Sequence, residues 1–271
     1  MRYFTFLFIS ILLLFHSLSA QIFDRVHFFP DTTFVSPFSA DAHAHRIAVE
    51  NILFTKNVRS SIGGMFPVLN IELPHRTVQA TFGGSVHFEL RPNGQAHIVS
   101  NDYYVDYLLL DVPWSDDLFI RFVTGHTSHH LSDNWYERLK LTSAIRYSRD
   151  YVKLFCIYEE NFNQQFYLGA DYAYIFTVGG LRVQRPWTFQ TGGKWPITQW
   201  LDVVTLYGAA DIKLRQEAGF AATNTVQLGC AVPMQQGRVL RLALQYRRGL
   251  EERGQFFPQH RELITVGFSI E

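Results

Sequence analysis

"TVQATFGGSVHFELR", residues 77–91, alternates along its whole length. Val78, Ala80, Phe82, Gly84, Val86, Phe88 and Leu90 share one parity; Gln79, Thr81, Gly83, Ser85, His87, Glu89 and Arg91 take the other. Successive side chains of a strand point to opposite faces, so this stretch is a strand with one dry and one wet face. The pattern recurs. In "GRVLRLALQYRR", residues 237–248, Leu240, Leu242, Leu244 and Tyr246 alternate with Arg241, Ala243, Gln245 and Arg247. In "ELITVGFSIE", residues 262–271, Ile264, Val266, Phe268 and Ile270 alternate with Thr265, Gly267, Ser269 and Glu271.

A dry strand face packs against a second sheet or against lipid. Three features favour lipid. The alternating runs often reach 11–15 residues, where soluble strands average about 5–6. Tyr, Phe and Trp recur near the strand ends, as an interfacial girdle requires. The wet face carries full charges, among them Glu89, Arg121, Lys153 and Arg241, which a hydrated lumen with paired charges tolerates. The fold expected is all-β: an antiparallel, up-and-down transmembrane β-barrel. The alternation gives twelve strands, at 44–55, 59–71, 77–91, 97–112, 118–128, 150–160, 166–178, 185–194, 200–214, 218–232, 237–249 and 261–270. An even count with both termini periplasmic makes "PWSDD", "ENFNQQ" and "PMQQG" short periplasmic turns. The longest connections, 129–149 and 250–260, then lie outside the cell.

The rest of the chain fits an exported barrel. The first twenty residues, "MRYFTFLFISILLLFHSLSA", combine Arg2, an apolar run from Phe4 to Phe15 and small residues before Gln21. They read as a secretory signal peptide, removed on export to the outer membrane. Residues 21–43, with Pro30 and Pro37, do not alternate and read as a periplasmic arm or a plug; 44–271 is the barrel. Within the arm, "DAHAH" puts His43 and His45 on one face and reads as a solvated segment. Later stretches contain no apolar run long enough for a transmembrane helix. With 24 basic and 24 acidic residues, the chain lacks the basic excess of a nucleic-acid binder. Cys156 and Cys230 fall on lipid-facing positions four strands apart, too far to bridge.

The fifth strand carries the chemistry. In "LFIRFVTGHTSHHLSDNW", residues 118–135, Leu118, Ile120, Phe122, Thr124, His126 and Ser128 share the lipid-facing parity. His126 and Ser128 thus project side by side from the outer wall near its extracellular end, about 6.5–7 Å apart along the strand. A histidine beside a serine is the minimal pair for nucleophilic acyl transfer. On a lipid-facing wall, the fitting substrate is a lipid ester. His126, His129 and His130 also admit a transition-metal site, and both residues of the pair also fit as interfacial polar groups.

"GHTSHHLSDNW" resembles the H-x-S active-site strand of outer-membrane phospholipase A, a twelve-stranded barrel with a His–Ser–Asn triad on its outer surface. That resemblance implies His126 as base and Ser128 as nucleophile, a calcium dependence and a homodimer. Over most of the mature chain the sequence is also similar to an uncharacterised group of exported barrels, domain of unknown function 1207. The resemblance rests on "HTSHHLSDNW", "RYSRD" and "SPFSADAHAHR". The phospholipase's third member is an asparagine, and "RLKLTSAIRYSRDYVKL" contains none. The sixth strand pairs with the fifth, so Asp150 at its start falls near His126 and Ser128 and can orient the imidazole. Asp133 in the outer loop is the alternative, and the candidate ligand for calcium, which takes oxygen donors. The reading is a surface acyl hydrolase on phospholipid or lipid A. The competing reading is a non-enzymatic barrel with a structural, envelope-assembly or narrow-channel role.

Overall fold

One antiparallel sheet winds round until its last strand meets its first. The computed structural model describes residues 25–93, 95–140, 146–160, 163–184, 186–200, 203–256 and 259–271; the expected signal peptide lies outside them. In chain order the strands are β1 (Val26–Phe28), β2 (Ile47–Ile52), β3 (Val58–Leu73), β4 (Arg76–Asn93), β5 (Gln95–Pro113), β6 (Leu118–Leu131), β7 (Tyr147–Glu160), β8 (Gln164–Val178), β9 (Leu181–Arg182), β10 (Trp187–Trp200), β11 (Val204–Arg215), β12 (Ala221–Pro233), β13 (Val239–Leu250) and β14 (His260–Ile270). β1 and β9 are short additions, pairing with β3 and β8. The other twelve form the wall, closed where Ile270 and Thr265 of β14 face Ile47 and Ile52 of β2.

The wall reproduces the alternation. Phe82, Leu228, Leu242, Leu244 and Phe268 are exposed on its outside, while Gln79, Asp111, Arg121, Gln227, Arg241 and Gln245 are buried inside. Both cysteines are free. Most boundaries shift by a few residues from those expected. The first strand shrinks to β2 because residues 44–46 are drawn into the lumen, where the Arg46 guanidinium donates to the Ser39 carbonyl at 2.7 Å. The eighth wall strand runs on to Trp200. The long outer connection begins later, after Leu131, and contains a short helix, α1 (Asp133–Leu139). The shortened β2 pairs with β3 only at Val58–Ser61, and β1 takes up Leu69–Ile71 lower on the same edge.

Residues 34–46 fill the lumen. Val35 is fully buried against Phe119, Phe155, Ile157 and Tyr167, and the Phe38 ring stacks on Tyr167 at 3.7 Å between centroids. Ser36 donates to Glu159 through its amide at 3.1 Å and its hydroxyl at 2.5 Å. Lys213 donates to Asp41 at 2.6 Å, and Gln190 adds a hydrogen bond at 3.0 Å. The wall's own charges are paired too: Arg121 grips Asp111 through two bonds of 2.6 and 2.7 Å, and Arg241 meets Glu271 at 2.8 Å. Buried charge persists only when paired and hydrogen-bonded. "DAHAH" is therefore not solvated. His43 lies against Glu252 at 3.1 Å and stacks on Tyr104, and His45 is buried.

Two outcomes test this architecture. Leu242 is 58% exposed on the outer face; Leu242→Arg should cost roughly 2–4 kcal/mol in refolding into bilayers, whereas Ala243→Ser on the lumen side should change stability little. Lys213→Met strands the Asp41 carboxylate and should cost about 3–5 kcal/mol, as for any buried pair broken on one side. Adding Asp41→Asn should recover most of that loss in the same unfolding assay.

Candidate functional site

The β6–β7 ladder sets His126 directly opposite Asp150 and Ser128 directly opposite Ser148. His126 Nδ1 lies 2.6 Å from Asp150 Oδ1. A carboxylate only accepts, so in the neutral imidazole the proton sits on Nδ1 and Nε2 carries the lone pair. The two side chains are 30% and 24% exposed, open to the outside yet partly desolvated. Ser128 is on the same outward face, one step nearer the rim that carries the β6–β7 connection; among the described residues no hydrogen bond joins it to His126. Tyr103 stands opposite Ser128 and Val105 opposite His126 on β5, and Ile175 opposite Asp150 on β8. One to two turns of the pleat deeper, Phe122, Leu154 and Tyr172 are exposed. The polar group thus crowns an apolar belt.

The remaining histidines separate. His130 faces outward with its ring 5.8 Å from that of Tyr103. His129 faces inward, where its Nδ1 accepts the Gly254 amide at 2.7 Å and its Nε2 lies 3.0 Å from Thr127 Oγ1. With His129 on the opposite face, the three histidines do not converge. Asp133 is an exposed residue in the first turn of α1. Among the described residues no group of three or more His, Cys, Asp or Glu side chains gathers as a metal site. Calcium takes six to eight oxygens, so at Asp133 it would need ligands beyond that one carboxylate.

A second Ser–His–Asp set, not anticipated from the sequence, lies inside. His45 Nε2 is 2.9 Å from Asp106 Oδ2, His45 Nδ1 is 2.9 Å from Ser85 Oγ, and Ser85 Oγ is 2.9 Å from His87 Nε2. Asp106 also accepts the Tyr151 hydroxyl at 2.7 Å. One tautomer set satisfies every bond: His45 donates to Asp106, Ser85 to His45, and His87 to Ser85. Ser85 nevertheless lines neither adjoining cavity, the one of about 130 Å³ bounded by His45, Asp106 and Tyr151 nor the one of about 30 Å³ bounded by His87. The wall is tightly packed here, since a Cβ on Gly63 would collide with the Cα and Cβ of Ser85. The set ties the inner segment to the wall. The available signal was the wet-face parity of Ser85 and His87; nothing local joins them to His45, 40 residues earlier.

A family model described as "Protein of unknown function (DUF1207)" matches residues 19–271. The chain belongs to the DUF1207 family. No curated protein matches the sequence. Solved structures share the fold of this DUF1207 barrel. Outer membrane phospholipase A from Escherichia coli is 12% identical, with 84% of this chain and 92% of that chain covered and a TM-score of 0.52. An active-site mutant of the same enzyme is 12% identical over 89% and 95% of the two chains, TM-score 0.50. A Salmonella typhi outer membrane phospholipase dimer with bound calcium is 13% identical over 88% and 94%, TM-score 0.49.

The DUF1207 site is braced from within. The amide that His129 accepts belongs to the outer loop after β13, which folds over the lumen. Within it Arg253 donates to Glu251 at 2.8 Å, and Arg261 bridges Glu251 at 3.1 Å and Glu89 at 2.9 Å. Burial pushes the Glu251 carboxyl up, but the charges and hydrogen bonds of Arg253 and Arg261 outweigh it and hold it at about 2, against an ordinary 4.5. A depressed folded value means the ionised form stabilises the loop above pH 4.5 and that stabilisation fades as pH falls toward 2. Hydrogen exchange at Gly254 should accelerate across that window, and Glu251→Gln should flatten the dependence.

Proposed function

We propose that this protein is an outer-membrane barrel, delivered by its N-terminal signal peptide, and acts as a surface acyl hydrolase on a phospholipid or lipid A ester. One observation carries the reading: His126, hydrogen-bonded to Asp150, stands beside Ser128 on the outer wall, above an apolar belt. The likeness to a phospholipase barrel supports the fold, and the side chains support the chemistry.

In this scheme acyl chains lie along Phe122, Leu154 and Tyr172, which brings the ester up to the polar group. His126 Nε2 takes the Ser128 proton as Oγ attacks the ester carbon, forming the Oγ–C bond and moving the carbonyl pair onto oxygen. Asp150 holds the ring and balances the imidazolium charge. The intermediate collapses, the ester C–O bond breaks, and His126 returns the proton to the departing alcohol. Water, deprotonated by the same imidazole, then cleaves the acyl-serine and releases the fatty acid.

The test is hydrolysis of phosphatidylethanolamine and lipid A in mixed micelles, with and without calcium. Ser128→Ala and His126→Ala should each lose on the order of 10⁴–10⁶ in rate, and the double variant no more, because such residues act as one unit. Asp150→Ala should lose less. A wild-type protein inert under all conditions, or a fully active Ser128→Ala, refutes the reading and leaves a non-enzymatic barrel.

A further inference from the structure

Ser128 stands on an intact ladder. β6 is paired with β5 over Phe119–Leu131 and with β7 over Leu118–His129. Its backbone amides, and those of its neighbours, are engaged in that wall. Acyl-transfer sites commonly stabilise the developing oxyanion with backbone N–H groups at a turn or helix start. On the strand itself that source is closed, and the nearest donors on the same face are side chains.

Ser148 is directly opposite Ser128 across β6–β7 and two residues before Asp150 on the same outward parity. Directly opposed residues have Cβ atoms about 4.5–5.5 Å apart. In the tetrahedral intermediate the charged oxygen is two bonds from Ser128 Oγ, and its donor must sit about 2.7–3.1 Å beyond it. A hydroxyl on the facing residue meets that span. Among the described residues the Ser148 side chain has no hydrogen-bond partner, so its O–H is uncommitted. Tyr103, facing Ser128 from the other side, has its ring against His130.

We propose that Ser148 is a further catalytic residue, the donor that stabilises the oxyanion on the ester attacked by Ser128. This rests on the acyl-hydrolase reading. His126, Asp150, Ser128 and Ser148 then form a two-by-two grid: the proton-handling pair on the deeper row, nucleophile and oxyanion donor on the outer one. The Ser148 proton is donated in a hydrogen bond and is not transferred, so the proton count of the reaction is unchanged.

The experiment compares Ser148→Ala, Ser148→Thr, Tyr103→Phe and Ser128→Ala in purified full-length protein, each checked for the heat-dependent gel mobility of a folded barrel. The readouts are phosphatidylethanolamine hydrolysis and labelling by a fluorophosphonate, with the adduct located by mass spectrometry. Ser148→Ala should lower kcat on the order of 10²–10³-fold with little change in KM. It should still take the adduct on Ser128, but slowly. Ser148→Thr, which keeps the hydroxyl, should recover most of the rate. Full activity in Ser148→Ala, an adduct on Ser148 itself, or the loss appearing in Tyr103→Phe instead overturns the proposal while leaving the hydrolase reading intact. An inert wild type overturns both.

Discussion

Six residue pairs between β14 and β2 close the sheet. A membrane offers its backbone no partners, so a spanning sheet is stable only when it runs into itself. Closure turns the two faces of each strand into an outside and an inside. From there each side chain's environment follows from its parity: Leu242 and Phe268 go to hydrocarbon, Arg241 and Gln245 to the lumen. Shortening β2 would be costly in an open sheet; here β1 returns to the exposed lower edge of β3 and takes up part of it.

The inside then has its own requirement. A lumen lined with Arg121, Arg149, Lys213 and Arg241 needs counter-charges and bulk, and the wall supplies only some. Asp111, Asp171 and Glu271 answer the three arginines. The inner segment answers the lysine with Asp41 and adds hydrogen bonds from Ser36 to Glu159 and between His45 and both Ser85 and Asp106. Its aromatic residues, Phe34 and Phe38, complete an apolar cluster that the wall alone leaves open. The same segment therefore neutralises, fills and fixes the barrel, and the long outer loop performs the equivalent task for β6 through Gly254 and His129.

On the outside, a ladder that spends its amides on closure leaves chemistry to side chains alone. Two adjacent strands supply the whole candidate group within two ladder steps, His126 and Ser128 from β6, Asp150 and Ser148 from β7. Height matters as much as spacing. The group lies at the rim, where apolar side chains give way to polar ones.

Alternation alone determined the strand positions, the two faces and the outward placement of His126 and Ser128, because period two is a local property that survives any closure. It also brought Asp150 to the right strand and face, since a hairpin's register is nearly fixed once both strands are known. What the tertiary structure decided is what depends on residues far apart in the chain. The Nδ1–carboxylate bond needs the actual register across a connection of fifteen residues, 132–146. The pairing of Ser128 with Ser148 needs it too, and a serine at the rim has no pattern of its own in the sequence. The burial of His43 and His45 was illegible: a short polar arm looks solvated until a lumen exists to receive it. The lengths of β2 and β10 were likewise set by what lies beside them, an inner segment pulling residues 44–46 off the wall and a neighbouring strand carrying Trp200 onto it.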